Sequence, residues 1–288
     1  MSRVAYVNGQ YVPHNAASVH VEDRGYQFAD GIYEVVAVRN GQFIDETGHL
    51  DRWDRSLAEL RIEPPMPRSA LKVVLREMVR RNRVRDGIVY MQGTRGVARR
   101  DHPFPKQAKP SLVVTAAKRK PAGPAVLENG VRAISQPDIR WGRCDIKTVG
   151  LLPNILAKQA AREAGAYEAW MVDGDGMVTE GSSTNAWILT AEGDLVTRPL
   201  GNDILAGITR ASVMKVARER GIAFTERAFS LDEAKRAREA FLTSATAYVT
   251  PIVQLDDAVI GNGKPGSMTR ALADAYADYM AGAGATAA

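Results

Sequence analysis

The chain has 288 residues, of which 45% are hydrophobic, 25% charged and 7% aromatic. That composition excludes a disordered or collagen-like polymer and supplies core material for one large or two modest domains. The net charge of +5, with 28 of 38 cations arginine, is too mild to point to a polyanionic partner, although arginine's planar fork suits small anionic ligands. The single cysteine, Cys144, excludes an intramolecular disulfide. With no apolar stretch of bilayer-spanning length and no signal-peptide pattern at the N-terminus, a soluble cytoplasmic protein is expected.

In chain order, Asn8-Gly9 between apolar runs at 4–7 and 10–12, and Asn40-Gly41 between 32–39 and 42–44, predict two-residue hairpins, since both turn residues tolerate positive φ. Helices are expected over 49–60 and 69–81; the second repeats Leu71, Val74, Leu75, Met78 and Val79 at helical spacing behind Ser69 as N-cap. Strands near 87–92 and 111–117 close a small N-terminal α/β domain over 1–118. Residues 119–127, broken by two prolines and a glycine, are the expected linker to a larger C-terminal domain over 128–288. There the pattern predicts strands at 131–135, 168–172, 176–178, 186–189, 240–243 and 249–255. Helices are expected at 151–164 and 209–220, stopped by Gly165 and Gly221. A capping box at Ser230-Leu-Asp-Glu233 opens a short helix, 269–279 is a last amphipathic one, and the small-residue tail 281–288 is expected to fray.

Several segments have polar chemistry without declaring its use. Gly207-Ile-Thr-Arg210 opens a helix, whose first N–H groups and positive dipole end suit a phosphate, or is simply a capped helix. Thr179-Glu-Gly-Ser-Ser-Thr-Asn185 is either a surface bend or a polar loop around a buried Glu180. The loop from Arg95 to His102 sets three arginines beside a histidine, which fits carboxylate recognition, an ordinary basic loop, or part of a basic patch with Arg76, Arg80, Arg81, Arg83 and Arg85. Lys147 is flanked by Ile139, Trp141, Ile146, Val149, Leu151 and Leu152; a lysine enclosed by such residues would have a depressed pKa and act as a nucleophile. His14, His20 and His49 are scattered and form no metal set. Nucleophile-elbow, Walker A and dinucleotide fingerprints are absent, as are zinc-finger and RNA-binding signatures, so no nucleic-acid role is expected.

Taken together, these segments resemble the D-amino-acid aminotransferases, within the fold-type-IV pyridoxal-phosphate enzymes that also include the branched-chain aminotransferases. The carrying stretches are Glu22-Asp-Arg-Gly-Tyr-Gln-Phe-Ala-Asp-Gly-Ile-Tyr33, His49-Leu-Asp-Arg52, Thr94 through His102, Arg140-Trp-Gly-Arg-Cys-Asp-Ile-Lys147, Leu156-Ala-Lys-Gln159, Thr179 through Asn185, Gly207 through Arg210, and Thr243-Ser-Ala-Thr246. They keep family order over almost the whole chain.

The resemblance implies an α/β (α+β) fold-type-IV enzyme, with a small N-terminal α/β domain, a larger α/β pseudo-barrel domain and pyridoxal 5'-phosphate between them. Lys147 matches the lysine that holds the cofactor as a Schiff base and shuttles the Cα proton, and Glu180 the carboxylate paired with the pyridine nitrogen. Arg52, Ser183, Ile208, Thr209 and Ser244 match positions around the cofactor phosphate, Leu205 the residue on the ring face, and Arg140 a support of the site. Tyr33, Val35, Arg100 and His102 match the substrate pocket, the last two reaching it from the partner subunit of a homodimer. The implied reaction is ping-pong transamination between D-amino acids, such as D-alanine and D-glutamate, and 2-oxo acids, 2-oxoglutarate or pyruvate. R-selective amine transaminases, branched-chain aminotransferases and aminodeoxychorismate lyases share the fold; Arg100-Asp-His102 favours D-amino acids. The chain departs from the pattern at Ala245, where a threonine commonly donates to the phosphate, and at Tyr248, where relatives often carry a glutamate. The lost hydroxyl is worth on the order of 1 kcal/mol of cofactor binding.

Overall fold

Asn8 and Gly9 have φ of 47° and 100°, and Asn40 and Gly41 of 50° and 80°. Two successive residues at positive φ match the twist of a tight hairpin, and Asn-Gly reaches that geometry at little cost. Both expected hairpins form, β1 (Val4–Val7) with β2 (Gln10–Pro13) and β3 (Gly31–Arg39) with β4 (Gln42–Phe43). The computed structural model describes residues 3–119 and 123–283, and the chain divides into two units. One is built on 3–119 with 146–150, the other on 123–145 with 151–282. Of the expected linker and tail, 120–122 and 284–288 lie outside the described residues.

In the first unit a one-turn helix α1 (Arg24–Phe28) precedes β3, and α2 (Glu46–Glu59), α3 (Arg68–Asn82), β5 (Gly87–Thr94) and β6 (Ser111–Lys118) follow β4. The strands form an antiparallel sheet in the order β2-β1-β6-β5-β3-β4. The apolar stripe expected on α3 is its buried face, and Leu50, Trp53 and Leu57 bring α2 onto the same core. Each such large side chain contributes roughly 2 kcal/mol on burial. Contact is close at Gly93, where a Cβ would lie 2.8 Å from the Trp53 ring, so α2 lies directly on the sheet. The N-cap of α3 differs from expectation. Pro67, at φ −58° and ψ 144°, holds that position with no side-chain bond, and Ser69 falls inside the first turn. A proline fixed in extended geometry sets the chain's entry into the helix two residues earlier than the serine would. The arginines on the wet side of α3 are engaged locally, Arg80 and Arg81 with Glu77 and Arg76 with Glu46.

The second unit starts with α4 (Pro124–Asn129), whose first residue is a proline that has no helical N–H to lose, and β7 (Val131–Pro137). Next come α5 (Leu152–Glu163), β8 (Glu168–Val172), β9 (Val178–Gly181), β10 (Asn185–Leu189), β11 (Leu195–Thr197), α6 (Ile208–Glu219), β12 (Phe224–Glu226) and α7 (Leu231–Lys235). β13 (Glu239–Ser244), β14 (Tyr248–Leu255), β15 (Ala258–Val259) and α8 (Ser267–Ala283) complete it. Ser230 caps α7 by accepting from Glu233 N, whereas the Glu233 carboxylate pairs with Arg227.

The sheet order β12-β11-β10-β13-β14-β7-β8-β9 forces curvature. β9 and β10 stand five places apart, yet only residues 182–184 connect them. In a flat sheet that gap is roughly 24 Å, whereas the connection spans at most about 14 Å. The sheet therefore curls until its β9 edge approaches β10, and Gly181 N donates to Thr184 O across the turn. Trp170, Ile188, Phe229 and Leu242 fill its core. Among the described residues no helix is long and apolar enough to cross a membrane.

Candidate active site

In the first unit, residues 146–150 lie as a short strip along the start of β3. Tyr33 N donates to Lys147 O at 3.0 Å, Val149 N to Gly31 O at 3.1 Å, and Ile32 bridges Thr148. This pairing sets the lysine on the tyrosine: Lys147 Nζ donates to Tyr33 Oη at 3.3 Å and lies 4.3 Å from the ring centroid. Tyr33 stacks on Tyr90 at 5.7 Å, and burial, with the nearby Tyr33 hydroxyl, pushes the Tyr90 phenol up to about 12. Val35 follows Tyr33 by two residues on β3 and shares its face. Of the six apolar residues that flank Lys147 in sequence, Ile139, Trp141 and Leu152 are exposed and Ile146 joins a core cluster. Outside a regular element, sequence neighbours have no common face.

Arg52, on α2 and 8% exposed, is bound to Glu34, which is 0% exposed. Its Nε donates to Oε1 at 2.6 Å and its Nη2 to Oε2 at 2.9 Å, while His49 Nδ1 meets Oε2 at 2.8 Å. Burial by itself would raise the Glu34 pKa, but the Arg52 charge and the bonds from His49 and Arg52 bring it from 4.5 down to about 2. A carboxyl depressed on folding contributes stability fully above its unfolded value and loses it as pH falls through the folded one. The contribution, on the order of 3 kcal/mol, is therefore present above pH 4.5 and disappears toward pH 2. Glu34→Gln is expected to cost about 3–5 kcal/mol at pH 7, because it removes the counter-charge of a buried guanidinium. It should also flatten the acid limb between those two pH values. Guanidinium unfolding of both proteins across that range checks the prediction.

Arg100 and His102 are exposed on the loop between β5 and β6. The root of this loop is charged and buried. Arg24 and Arg95 both donate to Asp30, Arg95 through Nε and Nη2 at 2.7 and 2.9 Å. Burial opposes the Asp30 charge, but the two guanidinium groups outweigh it and hold the carboxyl below its ordinary value.

In the second unit, Glu180 is 6% exposed. Arg140 Nη1 donates to its Oε1, Asn185 Nδ2 to Oε2 at 3.0 Å, and Leu205 N to the same carboxylate at 3.1 Å. Arg140 is itself held by Asp138 through Nε and Nη2 at 2.9 and 2.7 Å, and its Nη2 also donates to Asp203 O at 2.9 Å. Burial disfavours its charge, but Asp138 and Glu180 more than compensate and its pKa lies above the ordinary value. Of the two readings open for Thr179–Asn185, the buried carboxylate is the one the fold adopts. Thr179–Gly181 is strand, and the bend is confined to 182–184. Ser182, Ser183 and Thr184 all donate to Glu168, the last two at 3.2 Å, so the turn is fastened from beneath.

Gly207 is the N-cap of α6 with no side-chain cap; Ile208 is half-buried and Thr209 buried in the first turn. A Cβ at Gly207 would collide with Asn185 Oδ1, so the α6 start is drawn against the residue that holds Glu180. Ser244 ends β13, its Oγ accepting from Ala247 N at 3.1 Å and lying 3.5 Å from Thr246 Oγ1. The same turn thus retains a second hydroxyl although position 245 is alanine. Tyr248 has φ of 55°, and its ring lies 6.1 Å from that of Tyr276, a contact a glutamate there would not make.

Within one unit the structure brings together Lys147 with Tyr33, and within the other Glu180 with Arg140 and Leu205. A reading of the sequence gives no role to Glu34, Asp138 and Glu168, and names His49 and Asn185 only as members of motif stretches. Glu34 left one visible signal, a charge on the core-facing register of β3 beside Ile32 and Val36. Asp138 and Glu168 left none.

Residues 31–255 match the sequence pattern of amino-transferase class IV. Over 275 residues the chain is 40% identical to the D-alanine aminotransferase of Staphylococcus aureus strain N315, covering 96% of this chain and 97% of that one. The branched-chain amino acid aminotransferase of Escherichia coli superposes with a TM-score of 0.90 at 23% identity, over 97% of this chain and 95% of that one. The branched-chain amino acid aminotransferase of Thermobaculum terrenum, in its PLP-bound holo form, gives 0.84 at 22% identity, over 98% and 95%. Both superpositions bear on the fold alone.

Proposed function

The chain belongs to the class IV aminotransferases, and we propose that within this family it exchanges amino groups between D-amino acids and 2-oxo acids. D-alanine and D-glutamate are the proposed donors and 2-oxoglutarate or pyruvate the acceptors, bound in turn at one site. The observation that carries this reading is near-full-length identity of 40% with D-alanine aminotransferases, joined to the Arg100-Asp-His102 loop.

Members of the family are pyridoxal phosphate enzymes, and this chain's donors suit that group. It has an amine at Lys147, a carboxylate held by Arg140 at Glu180, a helix start without a side-chain cap at Gly207, and a paired hydroxyl turn at Ser244 and Thr246. When bound, the cofactor supplies the carbonyl carbon that amines attack and a ring that accepts the electrons freed at the substrate Cα. Lys147 Nζ takes the Cα proton and returns it, while Tyr33 Oη holds that amine between transfers. Glu180 keeps a proton on the pyridine nitrogen. Arg52, Ser183, Ile208, Thr209 and Ser244 hold the phosphate, and Leu205 covers the ring. Tyr33 and Val35 face the substrate, whose carboxylate Arg100 and His102 bind from the partner subunit of a homodimer. Exposure of both on their own subunit supports that arrangement. So does α5, which presents Leu152, Ile155 and Leu156 at helical spacing to solvent. The lone thiol fits a cytoplasmic enzyme.

The visible spectrum of the holoenzyme tests the proposal. D-alanine is expected to bleach the cofactor band and L-alanine to leave it. Bleaching by L-amino acids alone overturns the D-specific reading in favour of a branched-chain enzyme. No band after addition of pyridoxal phosphate overturns the catalytic reading altogether.

A further inference from the structure

The loop that carries Arg100 and His102 is exposed, yet it is fastened at two levels by α1. Arg24, 3% exposed, reaches its backbone, donating from Nη1 to Asp101 O at 2.6 Å and from Nη2 to His102 O at 3.2 Å. Its third nitrogen donates to Asp30 at 2.7 Å, so the guanidinium is fixed on one side by a carboxylate and on the other by the loop. Phe28, one turn along α1, supports the side chains. Arg24 and Arg100 both lie against its ring, 4.8 and 4.9 Å from the centroid, and the His102 ring lies 5.6 Å away. Asp23 caps α1 by accepting from Gly25 N at 2.8 Å and also accepts from Thr94 Oγ1 on β5 at 2.9 Å, which locks this platform to the sheet.

We propose that Arg24 and Phe28 are positioning residues for substrate carboxylate recognition: Arg24 fixes the loop backbone at Asp101 and His102, and the Phe28 ring holds Arg100 and His102 ready for the anion. This rests on the reading of Arg100 and His102 as the carboxylate site. An arginine on an open loop samples many rotamers, and ordering it when substrate arrives weakens binding. A guanidinium already held over an aromatic face has lost much of that freedom beforehand. Arg24 suits the backbone task because its planar fork serves two carbonyls and a carboxylate at once, which a lysine cannot do in the same geometry.

The test uses the holoenzyme with Phe28→Leu, Phe28→Tyr, Arg24→Lys and Arg100→Ala, measuring KM and kcat for D-alanine, inhibition by propionate (a carboxylate without an amine), and the cofactor band. Phe28→Leu and Arg24→Lys are expected to raise KM and the propionate inhibition constant together, by about fivefold to tenfold, with kcat within about twofold, because only uniform binding is lost. Phe28→Tyr, which keeps the aromatic face, should stay near the parent. The proposal is overturned if Phe28→Leu and Arg24→Lys leave both constants unchanged. It is equally overturned if kcat and cofactor retention fall along with KM, the pattern of a general structural defect. Arg100→Ala separates the two levels of inference. If it spares both constants, the carboxylate reading itself fails; if it raises them while Phe28→Leu and Arg24→Lys do not, only the positioning roles fail.

Discussion

Lys147→Ala is expected to lower the half-reaction with D-alanine by at least about a thousandfold, toward the upper end of what a positioned general base supplies. The lysine has a defined place: its backbone carbonyl accepts from Tyr33 N at 3.0 Å and its amine donates to Tyr33 Oη at 3.3 Å. The alanine variant keeps the backbone bond, so the 146–150 strip should remain on β3 and the protein should stay folded. What disappears is the only amine in that strip, the one proposed to hold the cofactor and carry the proton. Single-turnover mixing with D-alanine, beside a thermal melt, checks the expectation. A rate within tenfold of the parent with an unchanged melt would remove Lys147 from the chemistry. Partial recovery on adding a small amine such as methylamine would establish that the missing function is proton transfer.

Glu180→Gln has the second largest expected effect, a loss of about a hundredfold to a thousandfold in kcat, the range for removing one preorganised electrostatic contact to developing charge. The substitution is nearly isosteric, so the cost is electrostatic. Arg140 Nη1, Asn185 Nδ2 and Leu205 N all donate to the carboxylate, and a glutamine must turn its own NH2 toward one of them. It also cannot keep a proton on the ring nitrogen as a carboxylate does. Asp138 stays bonded to Arg140, so the guanidinium retains a counter-charge and the fold should tolerate the change. Kinetics and the cofactor band of Glu180→Gln and Glu180→Asp decide the matter. The aspartate variant should recover part of the loss by restoring charge; a kcat within threefold for glutamine would show that Glu180 does not serve the ring nitrogen.

The parts of this molecule that sequence determines by itself depend on one or two backbone angles. Asn8-Gly9 and Asn40-Gly41 make hairpins because those residues accept positive φ, and Gly165 and Gly221 end α5 and α6 at φ of 67° and 69° for the same reason. The periodic face of α3 is equally local, since a 3.6-residue repeat puts its apolar side chains on one side wherever the helix lies. Even here a neighbour can override: Pro67, not Ser69, begins α3. Family motifs kept in order made the family legible as well, because the stretches around Lys147, Glu180 and the 207–210 helix start are recognisable as residue strings.

Tertiary structure alone decided the partnerships. Glu34 with His49 and Arg52, Glu168 with the 182–184 turn, Lys147 with Tyr33, and Arg24 with the Arg100 loop join residues 14 to 114 positions apart. None of these can be derived from local preference, since each depends on which strand lies beside which and in what register. A shift of one residue in β3 would turn Glu34 out of the core and Tyr33 into it. The curl of the second sheet is of the same kind, because a three-residue turn between strands five places apart has meaning only once the order of all the strands is known. Side-chain identity supplied the polar groups; strand order and register, set by burial of the two cores, gave them their partners and their orientation.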